Sequence, residues 1–128
     1  MYKVLIVDDN SKIRFLLTKM IEKKFECEII EAENGLIAIN KISAEDPDVV
    51  FLDISMPHLG GLETLATVRK EQKFKNLPIV MITAINDRKT VKEAIDFGVE
   101  YYLLKPIIFD QVLPVLIKIF QKVDAYKK

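Results

Sequence analysis

Four apolar quartets punctuate this chain, and each runs into polar residues. Val4-Leu5-Ile6-Val7 meets Asp8 and Asp9, Val49-Val50-Phe51-Leu52 meets Asp53, Ile79-Val80-Met81-Ile82 meets Thr83, and Tyr101-Tyr102-Leu103-Leu104 meets Lys105. An unbroken apolar quartet reads as a strand buried on both faces, as in a parallel sheet covered by helices. Tyr2–Val7 is the first predicted strand. Asn10 is a candidate N-cap for a helix over about Ser11–Phe25, in which Ile13, Leu16, Leu17, Met20 and Ile21 recur at helical spacing. Glu26–Ala32, with apolar residues set between glutamates, suits an edge strand. Asn34-Gly35 opens a second helix with Leu36, Ile39 and Ile42 on its inner side, and Asp46-Pro47 breaks it before the strand that ends at Asp53.

Pro57, Gly60 and Gly61 then mark a turn before a helix over about Leu62–Gln72. Asn76-Leu77-Pro78 precedes the Thr83 strand. Asp87 caps a fourth helix over Arg88–Phe97, with Gly98 at its C′ position. The last helix spans roughly Asp110–Val123. Pro114 is tolerable within a first turn but costs roughly 3 kcal/mol in a helix interior, so the helix is expected to begin near Asp110. The order is strand–helix repeated five times, which calls for a parallel sheet with right-handed crossovers. Asp8, Asp9, Asp53, Thr83 and Lys105 would then gather at one carboxyl edge, where open α/β sheets bind ligands.

Composition narrows the classes. The chain has 128 residues, half of them hydrophobic and 30% charged, which suits one soluble globular domain over 1–128. Lys plus Arg balances Asp plus Glu at 19 each, so no basic excess points to nucleic acid. No apolar run reaches membrane-spanning length, and strand one begins too early for a signal peptide. Cys27 is the single cysteine, which fits a reducing, cytoplasmic setting and an inert buried thiol.

The candidate chemistry follows from charge. Two unit charges about 4 Å apart repel by about 1 kcal/mol in water and about 4 kcal/mol at an effective dielectric of 20. Asp8, Asp9 and Asp53 would raise one another's pKa unless a cation relieves them. Oxygen ligands in a shallow site, with room for water and phosphate, suit Mg²⁺ better than Ca²⁺. A metal, Lys105, the Thr83 hydroxyl and a carboxylate nucleophile together describe phosphoryl transfer to an aspartate.

These residues resemble the receiver domain of bacterial two-component response regulators over nearly the whole chain. The matching positions are Asp8-Asp9, Asp53 with Met56-Pro57, Gly61, Thr83-Ala84, Tyr102 and Lys105-Pro106. The resemblance implies an α/β, flavodoxin-like, doubly wound five-stranded parallel sheet of order 2-1-3-4-5 with five helices. It implies a single-domain, chemotaxis-regulator-like switch in which a histidine kinase or phosphotransfer protein donates a phosphoryl group to Asp53. It also implies Mg²⁺, with Mn²⁺ as an alternative, bound by Asp9, Asp53 and the Ser55 carbonyl, with Asp8 acting through water. Thr83, the Ala84 amide and Lys105 would contact the phosphoryl oxygens. Movement of Thr83 and an inward turn of Tyr102 would change the face of helix four, strand five and helix five, where a downstream protein or a homodimer partner binds. The Lys105–Pro106 bond is a candidate cis peptide. Ser55 and Ile85 hold the positions that flank the phosphoryl group and tune its hydrolysis. Gly60 departs from the acidic residue common at its position.

Several features have ordinary readings. A single Asp after a strand is usually a turn residue, Thr83 alone would be a strand end, and Tyr102 alone would be core. His58 reads as a solvated loop histidine. The last helix carries apolar residues almost all round, from Val112 to Val123, preceded by Ile107, Ile108 and Phe109, and predicts either deep burial or an exposed partner face. A haloacid-dehalogenase-like phosphatase would want a second Asp two residues after its nucleophile. Ser55 follows Asp53 there, and Asn10 follows Asp8. A flavodoxin-like cofactor binder would want a phosphate-cradling loop after strand one rather than acidic residues. A receiver cut from a longer transcriptional regulator would read the same way.

Overall fold

Each apolar quartet forms a strand, and the segments between them form helices. The computed structural model describes residues 1–127 as β1 (Tyr2–Val7), α1 (Ser11–Glu22), β2 (Cys27–Ala32), α2 (Gly35–Glu45), β3 (Val49–Leu52), α3 (Gly61–Lys70), β4 (Ile79–Thr83), α4 (Arg88–Asp96), β5 (Tyr101–Leu104) and α5 (Phe109–Lys127). A 3₁₀ turn, Gln72–Phe74, follows α3. The strands are parallel in the order β2-β1-β3-β4-β5, as expected. One core lies between the sheet and α1 with α5, where Leu17, Ile21, Leu116 and Phe120 meet Val4, Ile6 and Phe51. A second lies beneath α2, α3 and α4, where Ala38, Leu65 and Ala94 meet Leu5, Val7, Val50 and Met81. Alternate residues of β1 and β3 feed opposite cores, which is why those strands read as unbroken apolar runs.

The departures have physical causes. The Tyr101–Leu104 quartet is half-buried, with Leu104 47% exposed, because β5 is an edge strand rather than a central one. Helix α1 stops at Glu22, three residues short of the expected Phe25. Phe25 instead stacks on Phe120 and meets the ring of Tyr2 edge-on. On α2 the inner residues are Gly35, Ala38 and Ile42, and Leu36 is 54% exposed. One position is 100° of helix rotation, so Leu36 turns away when Gly35 faces in. Helix α3 ends at Lys70, and the expected Gln72 falls in the 3₁₀ turn. Cys27 is half-buried rather than buried, and burial, aided by Glu22, raises its thiol pKa and favours the inert form.

Helix α5 starts at Phe109 and runs past Val123 to Lys127, so Pro114 is interior rather than in the first turn. Pro114 and Asp110, whose carbonyl it cannot serve, are both exposed. Val112, Leu116, Ile119, Phe120 and Val123 are buried, so most of the apolar excess of α5 is core; Ile117 is 43% exposed. The far end of α5 is tied to the start of the sheet. The Tyr2 hydroxyl donates to Asp124 at 2.8 Å, and Lys127 pairs with Asp48 at 3.3 Å.

Candidate functional site

The carboxyl ends of β1, β3, β4 and β5 lie side by side because register pairs Val7 with Leu52, Leu52 with Met81, and Thr83 with Leu104. The residues that follow therefore emerge together. Asp8, Asp53 and Thr83 are buried, and Asp9 is exposed. Carboxylate oxygens of Asp8, Asp9 and Asp53 lie within 4.8 Å of one another. The Lys105 ammonium spans two of them, 2.8 Å from Asp8 Oδ2 and 3.1 Å from Asp53 Oδ2. Lys105 precedes a cis peptide bond to Pro106.

The chain secures each side chain locally. Asn10 N–H donates to Asp8 Oδ1 at 2.9 Å, and the Asn10 side chain caps α1 through Lys12 N–H and Ile13 N–H. Ile54 N–H donates to Asp53 Oδ1 at 2.7 Å. Gly61 fixes the loop beneath. Its N–H donates to the Ile54 carbonyl, and a Cβ there would stand 2.2 Å from the Asp53 carbonyl oxygen, so a side chain would displace the loop.

The charges do not balance. Three carboxylates and one ammonium leave a formal excess of two negative charges. Burial raises the Asp8 pKa, and the Asp53 charge adds to that, against the lowering effect of Lys105 and the Asn10 N–H. Burial pulls Lys105 down, but its hydrogen bond to Asp8 and the charges of both aspartates outweigh it and hold the ammonium above its ordinary value. The donor set is entirely oxygen and its deficit is that of one divalent cation, so the residues fit a hard metal ion.

The remaining expected residues surround this centre. Ser55 is exposed, two residues past Asp53. Thr83 is the last residue of β4, and its hydroxyl oxygen accepts from Ile85 N–H at 3.3 Å. Ala84 is exposed and Ile85 half-buried in the loop before α4. The Tyr102 hydroxyl donates to the Ile85 carbonyl at 2.6 Å, and burial, with Asp87 and Asp53, raises its pKa. His58 is exposed in the loop before α3, with its backbone in the left-handed region at φ 68°. The sequence reading missed Arg14. Its guanidinium donates to the Asp8 carbonyl at 2.6 Å and to Glu31 at 2.8 Å, bracing β1 against α1 and β2. The available signal was spacing: Arg14 lies four residues past the Asn10 cap, one turn into α1.

Comparison with known proteins gives a consistent picture. The family model described as response regulator receiver domain matches residues 4–117. The chemotaxis protein CheY of Listeria monocytogenes is 40% identical over 119 residues, covering 92% of this chain and 98% of that protein. A protein-glutamate methylesterase/protein-glutamine glutaminase of Trichodesmium erythraeum is 35% identical over 108 residues, covering 82% of this chain. This chain spans 30% of that relative's length. The receiver (REC) domain of AraT, a response regulator from Geobacillus stearothermophilus, superposes with a TM-score of 0.85 at 33% identity, covering 99% of this chain and 98% of that one.

Proposed function

Because the chain belongs to the response regulator receiver family, whose members are signalling switches, we propose that Asp53 is its phosphoacceptor. The observation that carries this reading is the Asp53 carboxylate at the end of β3, oriented by Ile54 N–H and Lys105, with the oxygens of Asp8 and Asp9 within 4.8 Å. An Asp53 oxygen attacks the phosphorus of a phosphohistidine on a sensor kinase or phosphotransfer protein. The P–O bond forms as the P–N bond breaks, and the bonding pair returns to the imidazole nitrogen. Lys105 neutralises negative charge on the phosphoryl oxygens, while Thr83 and the Ala84 N–H donate to them.

Mg²⁺ is the cofactor of this reading, with Mn²⁺ as an alternative. Asp9, Asp53 and the Ser55 carbonyl would hold it. Asp8, whose oxygens accept from Lys105 and Asn10, would act through water. The bound ion would supply positive charge to the transferring group. Ser55 and Ile85 flank the phosphoryl group and set its lifetime. Tyr102, now bonded to the Ile85 carbonyl, releases it and turns inward as Thr83 moves. The change reaches α4, β5 and α5, where Ile95, Leu104 and Ile117, with Ile108 just before α5, are exposed and form the surface for a downstream protein or a second copy. The chain acts in the cytoplasm as one receiver unit over 1–128; no helix among the described residues is long and apolar enough to cross a membrane.

Incubation with acetyl phosphate and Mg²⁺, followed by mass spectrometry, tests the central assignment. Wild type gains one phosphoryl group and Asp53→Ala gains none. An adduct that survives in Asp53→Ala overturns it.

A further inference from the structure

Helix α4 is the helix that the core holds least. Its one buried residue is Ala94, whereas α1 buries Leu17, Met20 and Ile21, and α3 buries Gly61, Thr64, Leu65 and Val68. Its first turn is capped by Asp87, whose side chain accepts from Thr90 N–H at 2.9 Å. Its last turn is held from outside. Arg69, in the last turn of α3, donates from Nε to the Phe97 carbonyl at 2.7 Å and from Nη2 to the Gly98 carbonyl at 3.1 Å. Nη1 donates to the Phe74 and Leu77 carbonyls, both at 2.8 Å, in the segment that leads into β4. One guanidinium thus serves four backbone carbonyls, two of them at the α4 C-cap. These are groups a helix end leaves without intrahelical donors, and the negative end of the helix dipole attracts the cation. Gly98 has φ +79°, a conformation that favours glycine and turns the chain there.

The other end of α4 follows directly from the functional loop: Thr83, Ala84 and Ile85 lie immediately before Asn86 and the Asp87 cap. We propose that Arg69 is a positioning residue that fixes the C-terminal end of α4 as a pivot, so that displacement of the 83–86 loop is delivered as a rotation of α4. With the pivot removed, the helix would loosen from α3 and the loop's movement would be dissipated. The proposal rests on the phosphoacceptor reading of Asp53. Arg69 touches neither the carboxylates nor Lys105, so its loss should leave the chemistry at Asp53 in place.

Hydrogen exchange with mass spectrometry, with and without Mg²⁺ and beryllofluoride, tests this on wild type, Arg69→Met and Arg69→Lys. In wild type the analogue should alter exchange in 83–92 and leave 95–99 protected. In Arg69→Met without analogue, 95–99 should exchange about tenfold faster or more. The analogue should still protect the peptide containing Asp53, but its effect on α4 should be lost. Arg69→Lys keeps the charge without the planar fork, so it should restore the protection of 95–99 only in part. If Arg69→Met keeps wild-type protection of 95–99 and the wild-type analogue response, the proposal is overturned. Exchange that rises equally in β1, β3 and α4 also overturns it, because Arg69 is then a general staple; if Arg69→Met does not fold, Arg69→Lys is read by the same two criteria. Failure of wild type to respond at Asp53 would count against the phosphoacceptor reading, whereas the analogue-free comparison at 95–99 tests the pivot alone.

Discussion

Asp8 shows what the site costs the fold. It is 3% exposed, beside Asp53, and burial holds its pKa above the ordinary carboxylate value. A carboxyl group whose pKa is raised in the folded state contributes stability below its unfolded pKa and loses that contribution as pH rises through the folded one. At neutral pH in chelator, Asp8→Asn should therefore raise the unfolding free energy by about 1–4 kcal/mol, the range for one like-charge contact between water and an effective dielectric of 20. The gain should shrink toward acid pH, and saturating Mg²⁺ should stabilise wild type more than the variant; urea titrations at both pH values measure all three. Ile85 gives a kinetic counterpart. Its half-buried apolar side chain in the loop before α4 should hinder water attack on the aspartyl phosphate, so Ile85→Glu and Ile85→Ala should shorten its lifetime. Unchanged decay of the phosphoprotein in both variants rejects that role.

At the scale of elements, the sequence was most legible where one residue pattern had one outcome. The β1, β3 and β4 quartets formed buried strands because apolar residues on both faces must be covered by helices. The Asn10 and Asp87 caps and the Gly98 turn appeared where expected, and α2 opens at Asn34-Gly35, because each supplies a local hydrogen bond or a backbone angle that neighbours cannot. What was not legible depended on partners distant in sequence. The composition of β5 does not say that it lies at an edge, the phase of α2 is set by Gly35 packing against α3, and Arg69 finds its four carbonyls through tertiary contact. Asp8, Asp9, Asp53 and Lys105 were legible as a set because parallel topology places every strand's carboxyl end on one side. Gly61 links element to site. Its virtual Cβ would meet the Asp53 carbonyl at 2.2 Å and Ile54 Cα at 2.7 Å. Gly61→Ala should thus cost about 1–3 kcal/mol by overpacking and lower phosphoryl uptake from acetyl phosphate as the Asp53 loop shifts. A thermal melt and the mass-spectrometric assay report the two effects separately.

For the whole molecule, exposed apolar residues fall in more than one place: Phe15, Leu16 and Leu36 lie on α1 and α2, and a further set lies on the face of α4, β5 and α5. Ile95, Leu104, Ile108 and Ile117 are each at least 43% exposed, although most of α5's apolar excess is internal. If this face pairs two copies on activation, light scattering should show a monomer alone and a dimer with Mg²⁺ and beryllofluoride, and Ile108→Lys should abolish the change. A monomer under every condition leaves the face to a different protein.

The Lys105 ammonium already sits between Asp8 and Asp53, as a counter-ion supplied by the chain itself. On the proposed reading, loading the site would be a competition between an internal cation and an external one, in which the lysine would yield carboxylate oxygens to the metal. Lys105→Met should accordingly bind Mg²⁺ more tightly, by about tenfold or more, because one unit charge at close range is worth about 1 kcal/mol in water and about 4 kcal/mol at an effective dielectric of 20, even as it accepts phosphoryl groups more slowly. Calorimetric titration against wild type measures the affinity. Opposite changes in metal binding and phosphoryl uptake would mark Lys105 as a gatekeeper of occupancy as well as a binder of phosphate.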